Sequence, residues 1–174
     1  MKADMNQDDD IRNAQARVAD IFTKKPQAAF SIVSASAHVG EGLLCKARQG
    51  DYEATMDMGA VLGGEGKAPT PGFYFRAAVT GCIAIGIKMA AAREGIHLDA
   101  VDVHADMDFD DSALIGMGQN SAAPLETRFT IKLTSNSPAE QLVRLVDRAL
   151  ACDPFFLALR DAQKVKTQVM TGVT

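Results

Sequence analysis

The chain has 174 residues, 47% of them apolar and 23% charged, with a formal net charge of −4. That length makes one globular domain, or one domain with an appendage, able to bury a core without disulfide staples. The acidic balance excludes a general nucleic-acid binder, which carries a basic stripe, and the longest unbroken apolar run, residues 77–87, is far short of the ~20 residues that span a bilayer.

Taken in chain order, residues 1–10 are acidic and expected to be disordered. Ile11, Ala14, Val18, Ile21 and Phe22 recur at helical spacing, and Lys24-Lys25-Pro26 ends that segment. Three strands are expected next, at 29–34, 42–48 and 52–58, the last two joined by a hairpin turn at Gln49-Gly50-Asp51. Residues 63–69 read as a loop. A helix of about 23 residues then runs from Thr70 or Pro71 to Gly95, with proline in its first turn and glycine just past its end. It is apolar on nearly every side, which predicts burial on nearly every side.

Residues 101–109 alternate, with Val101, Val103, Ala105, Met107 and Phe109 on one face and Asp102, His104, Asp106 and Asp108 on the other. Residues 125–134 alternate as well, and both segments read as half-buried strands. Ser137-Pro-Ala-Glu140 is a capping-box pattern opening a helix with Leu142, Val143, Leu145, Val146, Ala149 and Leu150 on one face. Asp153-Pro154 reads as a helix cap followed by proline at the first position. Residues 165–170 complete the pattern as a last strand.

The candidate chemistry lies in the cysteines. Their count is three, no apolar leader segment follows the N-terminus, and a reducing cytoplasm is the expected compartment. Cys82 lies inside the apolar helix and Cys152 at the joint between two helical segments, which raises the question of a redox pair made by folding; the other reading of Cys82 is a small apolar residue buried in a tightly packed helix. Cys45, in a strand with no partner motif, reads as structural. The acidic face around His104 has ligand-type residues, but Arg128 and Lys132 on the next strand are its expected partners, and no metal is assigned. Gly63-Gly64-Glu65-Gly66 lacks the ending of a phosphate loop.

The order of elements, the stretch from Pro71 through Ala77-Ala78 to Gly81-Cys82, and Cys152-Asp-Pro154 together resemble the OsmC/Ohr family of osmotically inducible and organic hydroperoxide resistance proteins. The resemblance covers residues 28–170 and sets apart residues 1–27 as an acidic tail with an added helix, the remaining 28–174 forming the domain. It implies an α+β fold, antiparallel strands wrapped on the long central helix, in an intertwined homodimer. It further implies a thiol peroxidase: Cys82 attacks an organic hydroperoxide, Cys152 resolves the sulfenic acid as a disulfide, and a dithiol reductant reopens it. No cofactor, nucleic acid or membrane is called for.

The chain departs from the family pattern at the groups that ionise the thiol. A buried cysteine is disfavoured as thiolate, and a residue eleven positions into a helix gains little from the helix dipole. The peroxidases resembled here use an arginine from the early strands, held by a glutamate directly after the proline of the central helix. Here Gly72 follows Pro71, and an acid or His38 stands near the arginine position. Arg48 is the candidate cation, with Arg76 and Arg93 as alternatives. A second reading is a non-catalytic member of the fold that binds a small apolar ligand or serves a structural role.

Overall fold

The computed structural model describes residues 7–172. Helix α1 spans Gln7–Lys24 and is followed by strands β1 (Ser36–Val39), β2 (Cys45–Gln49) and β3 (Tyr52–Met56), the long helix α2 (Pro71–Glu94), β4 (Ala100–Asp108), the short α3 (Asp111–Leu114), β5 (Glu126–Thr134), α4 (Ala139–Leu150) and α5 (Pro154–Arg160). β1, β2 and β3 form one antiparallel sheet in that order, and β4 and β5 form a second.

α2 begins and ends where its residues dictate. Thr70 caps it by accepting from the Phe73 N–H, Pro71 opens it, and Gly95 closes it at φ +69°, the left-handed conformation that terminates helices. One strip of the helix, through Val79, Ile83, Ile87, Ala90 and Ala91, is fully buried. Leu145 and Ala149 of α4 and the inward residues of β4 and β5, including Val103, Phe129 and Ile131, pack on it. The helix is long and apolar enough to cross a membrane by length and composition, a property shared by core helices of soluble proteins. The longest apolar run therefore understated it.

Five expectations are corrected. No strand forms over 29–34: Pro26–Ala29 is a 3-10 turn, and Phe30, Ile32 and Val33 are exposed. The first strand lies at Ser36–Val39 instead, where Cys45–Arg48 supply its ladder partners. Residues 165–170 form no strand and pair with neither sheet. The capping box is not made either: Pro138 takes the cap position without a side-chain bond, and Glu140 pairs with Arg144 one turn on. α4 turns Val143 outward, off the face that buries Leu145 and Ala149. Finally, α2 is not covered all round, as Phe73, Phe75 and Ile85 are exposed.

The hairpin turn is the two residues Gly50-Asp51, with Gly50 at φ +56° in the first loop position, where a mirror-type turn requires it. Ahead of α2, Asp57 organises the glycine-rich loop. Its buried carboxylate accepts from the Met58 N–H at 2.8 Å, the Lys67 N–H at 2.9 Å and the Glu65 N–H at 3.2 Å. These backbone donors, Lys67 first, hold its carboxyl below the usual range. Gly64 is required there, because a Cβ would stand 1.9 Å from the Met58 carbonyl oxygen.

The acidic N-terminal stretch is not a tail throughout. Asp8, Asp9 and Asp10 form the first turn of α1, while residues 1–6 lie outside the described residues. α1 docks on the C-terminal half of α2: Arg12 Nε donates to the Ala92 carbonyl at 2.7 Å and Gln15 Nε2 to that of Met89 at 3.1 Å. Asp8 meets His97 Nδ1 at 2.8 Å and Lys88 Nζ at 3.5 Å. His97, just past the end of α2, is thus an anchor for α1.

Two outcomes follow from this packing. Ile87→Ala, at a fully buried site, lowers stability by about 2–5 kcal/mol in urea denaturation. The Asp8 bond, aided by Asp99, raises the His97 value, and His97 in turn lowers that of Asp8. The imidazolium contribution is therefore complete below the ordinary histidine value and is lost as pH rises through the raised one. The Asp8 contribution is present above the ordinary carboxylate value and is lost as pH falls through the lowered one. α1 is held tightest between those limits. Limited proteolysis at Arg17 accelerates as pH rises from about 6 to about 8.5 relative to Asp8→Asn, where that pH dependence flattens.

Candidate active site

α2 and the α4–α5 joint together form a cleft of ≈ 260 Å³. Cys82, Ile85, Gly86, Met89 and Arg93 supply one wall, and Ala149, Cys152, Asp153 and Pro154 the other. The α2 residues recur at three- and four-residue steps, the stripe on one side of a helix. Folding therefore brings to one cleft the two cysteines that stand 70 positions apart in the chain, both as free thiols. Cys82 is half-buried and Cys152 exposed.

Asp153 is the residue that sequence reasoning placed only in part. It caps α5 as expected, its Oδ1 accepting from Phe155 N–H at 3.0 Å and Phe156 N–H at 2.7 Å. Those bonds use the helix-start donors, so they are spent on Asp153 rather than offered to Cys152. The side chain is 4% exposed, and its Oδ2 is buried without a hydrogen-bond partner among the described residues. This oxygen faces α2, where a Cβ built on Gly86 would come within 3.4 Å of it. The sequence signal was the glycine four positions after Cys82, which leaves that side of the helix open to a close neighbour.

The electrostatics run against ionisation at Cys82. Burial pushes its thiol up, and the Asp153 carboxylate beside it pushes the same way. The Phe155 N–H opposes them only weakly. Asp153 thus acts on Cys82 across the cleft, although Cys152 is its neighbour in the chain.

No arginine sits beside that thiol in the chain. Arg48, the candidate cation, lies on β2 outside the cleft and is bound to Glu53 Oε2 at 2.7 Å. Arg148, a candidate neighbour of Cys152, is committed to Glu94, with Nε 2.9 Å from Oε1. Arg76 lines a different basin, near Gly72. Arg93 does line the cleft, but it stands eleven residues beyond Cys82, about 16 Å along the axis. Its guanidinium is held by the Gln15 amide oxygen of α1.

The other residues weighed in sequence fall elsewhere. Cys45 is on β2, half-buried and outside the cleft. The acids of β4 face bases of β5 as expected: Asp102 is in register with Lys132 and Asp106 with Arg128. Arg128 reaches diagonally to Asp108, with two bonds of 2.6 and 2.8 Å.

The family model for OsmC-like protein matches residues 64–168, well over half of the chain, and takes in α2, both cysteines of the cleft and α5. This chain belongs to the OsmC-like family. No curated protein matches it. Among solved structures it is similar to an OsmC-like protein from Mycoplasma pneumoniae, at 12% identity and a TM-score of 0.63 over 75% of this chain and 88% of that one. It is also similar to an organic hydroperoxide resistance protein OsmC from Legionella pneumophila, at 21% identity and a TM-score of 0.53 over 76% and 91% of the two chains. An organic hydroperoxide resistance protein from Elizabethkingia anophelis matches at 18% identity and a TM-score of 0.53, over 76% and 90%. At these identities the shared feature is the OsmC fold, an α+β arrangement on a long central helix.

Exposure and charge set the order of thiol reactivity in this cleft. With iodoacetamide at neutral pH, Cys152 is alkylated well before Cys82, as peptide mapping of partly labelled protein will show.

Proposed function

We propose that this OsmC-like protein is a thiol-dependent reductase of organic hydroperoxides, with Cys82 as the attacking sulfur and Cys152 as the resolving one. The observation that carries this reading is that both cysteines line one small, largely apolar cleft. Cys82 sulfur takes the terminal oxygen of the hydroperoxide, the O–O bond breaks, and an alcohol leaves. Cys152 then displaces water from the sulfenic acid to form a disulfide, and an external dithiol returns both thiols. The apolar lining favours an alkyl or aryl hydroperoxide over hydrogen peroxide.

The same reading includes a homodimer in a reducing cytoplasm, with the OsmC-like domain over 28–174 and α1 as an addition to it. The exposed Phe73, Phe75 and Ile85 of α2 and the little-buried sheet β1–β3 support a second copy as cover. Within one chain Arg48 is held by Glu53 away from the cleft, so its candidacy as the cation rests on the hairpin sheet of another copy reaching α2.

A second reading has its own support. A basin of ≈ 650 Å³, lined by Val61, Leu62, Phe109 and Leu114 with Arg76, Asp110 and Asp111 at its sides, supports binding of a small apolar ligand. In that case the protein is a non-catalytic binder and both thiols are bystanders.

Intact-mass and peptide mapping after one equivalent of cumene hydroperoxide separates the two. The peroxidase reading expects a Cys82–Cys152 disulfide that disappears in Cys82→Ser. Two unreacted thiols overturn it and leave the binding protein.

A further inference from the structure

Asp153 carries a buried carboxylate oxygen without a hydrogen-bond partner among the described residues, directed at the side of α2 that holds Cys82 and Gly86. Such an oxygen costs stability unless something else uses it. The capping task needs only Oδ1, since both backbone N–H groups of α5 bond to that atom. Asn or Ser would cap as well without a buried charge. The second oxygen is therefore left over from the structural role, and it stands where the thiol must lose a proton. Among the described residues of one chain, no arginine stands beside the thiol to stabilise a thiolate instead.

We infer that Asp153 is the general base for Cys82, so that the thiol is deprotonated as it attacks rather than beforehand. This role rests on the hydroperoxide-reductase reading and deepens it. Asp153 Oδ2 accepts the proton of Cys82 while the sulfur bonds to the terminal oxygen of the hydroperoxide. The O–O bond breaks, and the electron pair goes to the leaving oxygen. The protonated Asp153 then delivers its proton to that alkoxide, which departs as an alcohol. Sulfur is oxidised to the sulfenic acid, the peroxide is reduced to the alcohol, and the carboxylate is regenerated. A cation beside the thiol activates the sulfur only. A carboxylate that shuttles the proton serves both the nucleophile and the leaving group.

The two roles open to Asp153 predict opposite signs. As a mere neighbour its charge holds the thiol protonated, and removing it makes Cys82 more reactive toward every electrophile. As a base it is needed only where a leaving oxygen takes a proton. The experiment compares full-length protein with D153N and D153S, both of which keep a capping oxygen, after circular dichroism confirms folding. Sulfenylation of Cys82 by cumene hydroperoxide is followed in a Cys152→Ser background. Alkylation of the same thiol by iodoacetamide runs in parallel.

The expected result is a split: alkylation rises several-fold in both variants, while oxidation falls by about 10²-fold. The wild-type oxidation rate needs no preformed thiolate and does not follow the ionisation of Cys82 between about pH 6 and about pH 8. In the variants it climbs with pH, up to ~10-fold per unit, because preformed thiolate is then required. If oxidation speeds up together with alkylation, Asp153 is an electrostatic brake and the base assignment is overturned. If Cys82 of the wild type is inert to the hydroperoxide while still open to alkylation, the reductase reading itself falls, and this role with it.

Discussion

Helix α2 is apolar around its circumference, and one chain covers only part of it. The buried strip through Val79, Ile83 and Ile87 is closed by α4 and by the inward faces of β4 and β5. α1 covers the C-terminal end through Arg12 and Gln15. Everything placed in the cleft follows from this helix, because its capped ends fix where each residue points. Thr70 and Gly95 set the register, and Cys82, Gly86, Met89 and Arg93 then share one side by periodicity alone. The uncovered side, with Phe73, Phe75 and Ile85, leaves apolar area that a soluble domain of this size does not ordinarily present to water.

Much of this was legible in the sequence, for reasons that differ by element. The bounds of α2 were readable because threonine, proline and glycine act locally on the backbone. β4 and β5 were readable because alternation survives when one face is buried, and the pairing of Asp102 with Lys132 confirms their register. Cys82 and Cys152 line one cleft, which the packing of the α4–α5 joint on α2 decides and the sequence of either segment alone does not. The strands assigned at 29–34 and 165–170 fail on a non-local point. Apolar, β-branched segments satisfy the propensity of a strand, but a strand also needs a neighbouring edge, and propensity says nothing about whether one exists. The capping box at Ser137 fails because Pro138 already occupies the cap and leaves serine one position early.

The electrostatics of the site were the least legible part. Asp153 was readable as a cap, because the cap lies in its own sequence neighbourhood. Its reach to Cys82 depends on the angle at which α5 meets α2, and on the absence of a side chain at Gly86. Arg48 and Arg148 were plausible by charge and proximity in sequence. Each is instead spent on a carboxylate, Glu53 and Glu94, which sequence reasoning had no means to assign. Arginines on folded surfaces find acids within a few ångströms, so a free cation beside a thiol has to be protected from such partners by burial or by a second shell.

That contrast gives the departures from the family pattern a common physical sense. Where the family resemblance implies a glutamate–arginine pair at the head of the central helix, this chain has Gly72, and its early-strand arginine is engaged within its own hairpin. The site carries its charge on the other wall, as a carboxylate held by the first N–H groups of α5. An arginine beside a buried sulfur lowers the cost of a standing thiolate; a carboxylate raises it. A sulfur in the second environment is favoured as a thiol at rest, which slows its reaction with adventitious electrophiles. Gly86 suits the arrangement, since even a Cβ at that position would come to 3.4 Å from the Asp153 oxygen and a longer side chain would have to turn away from it.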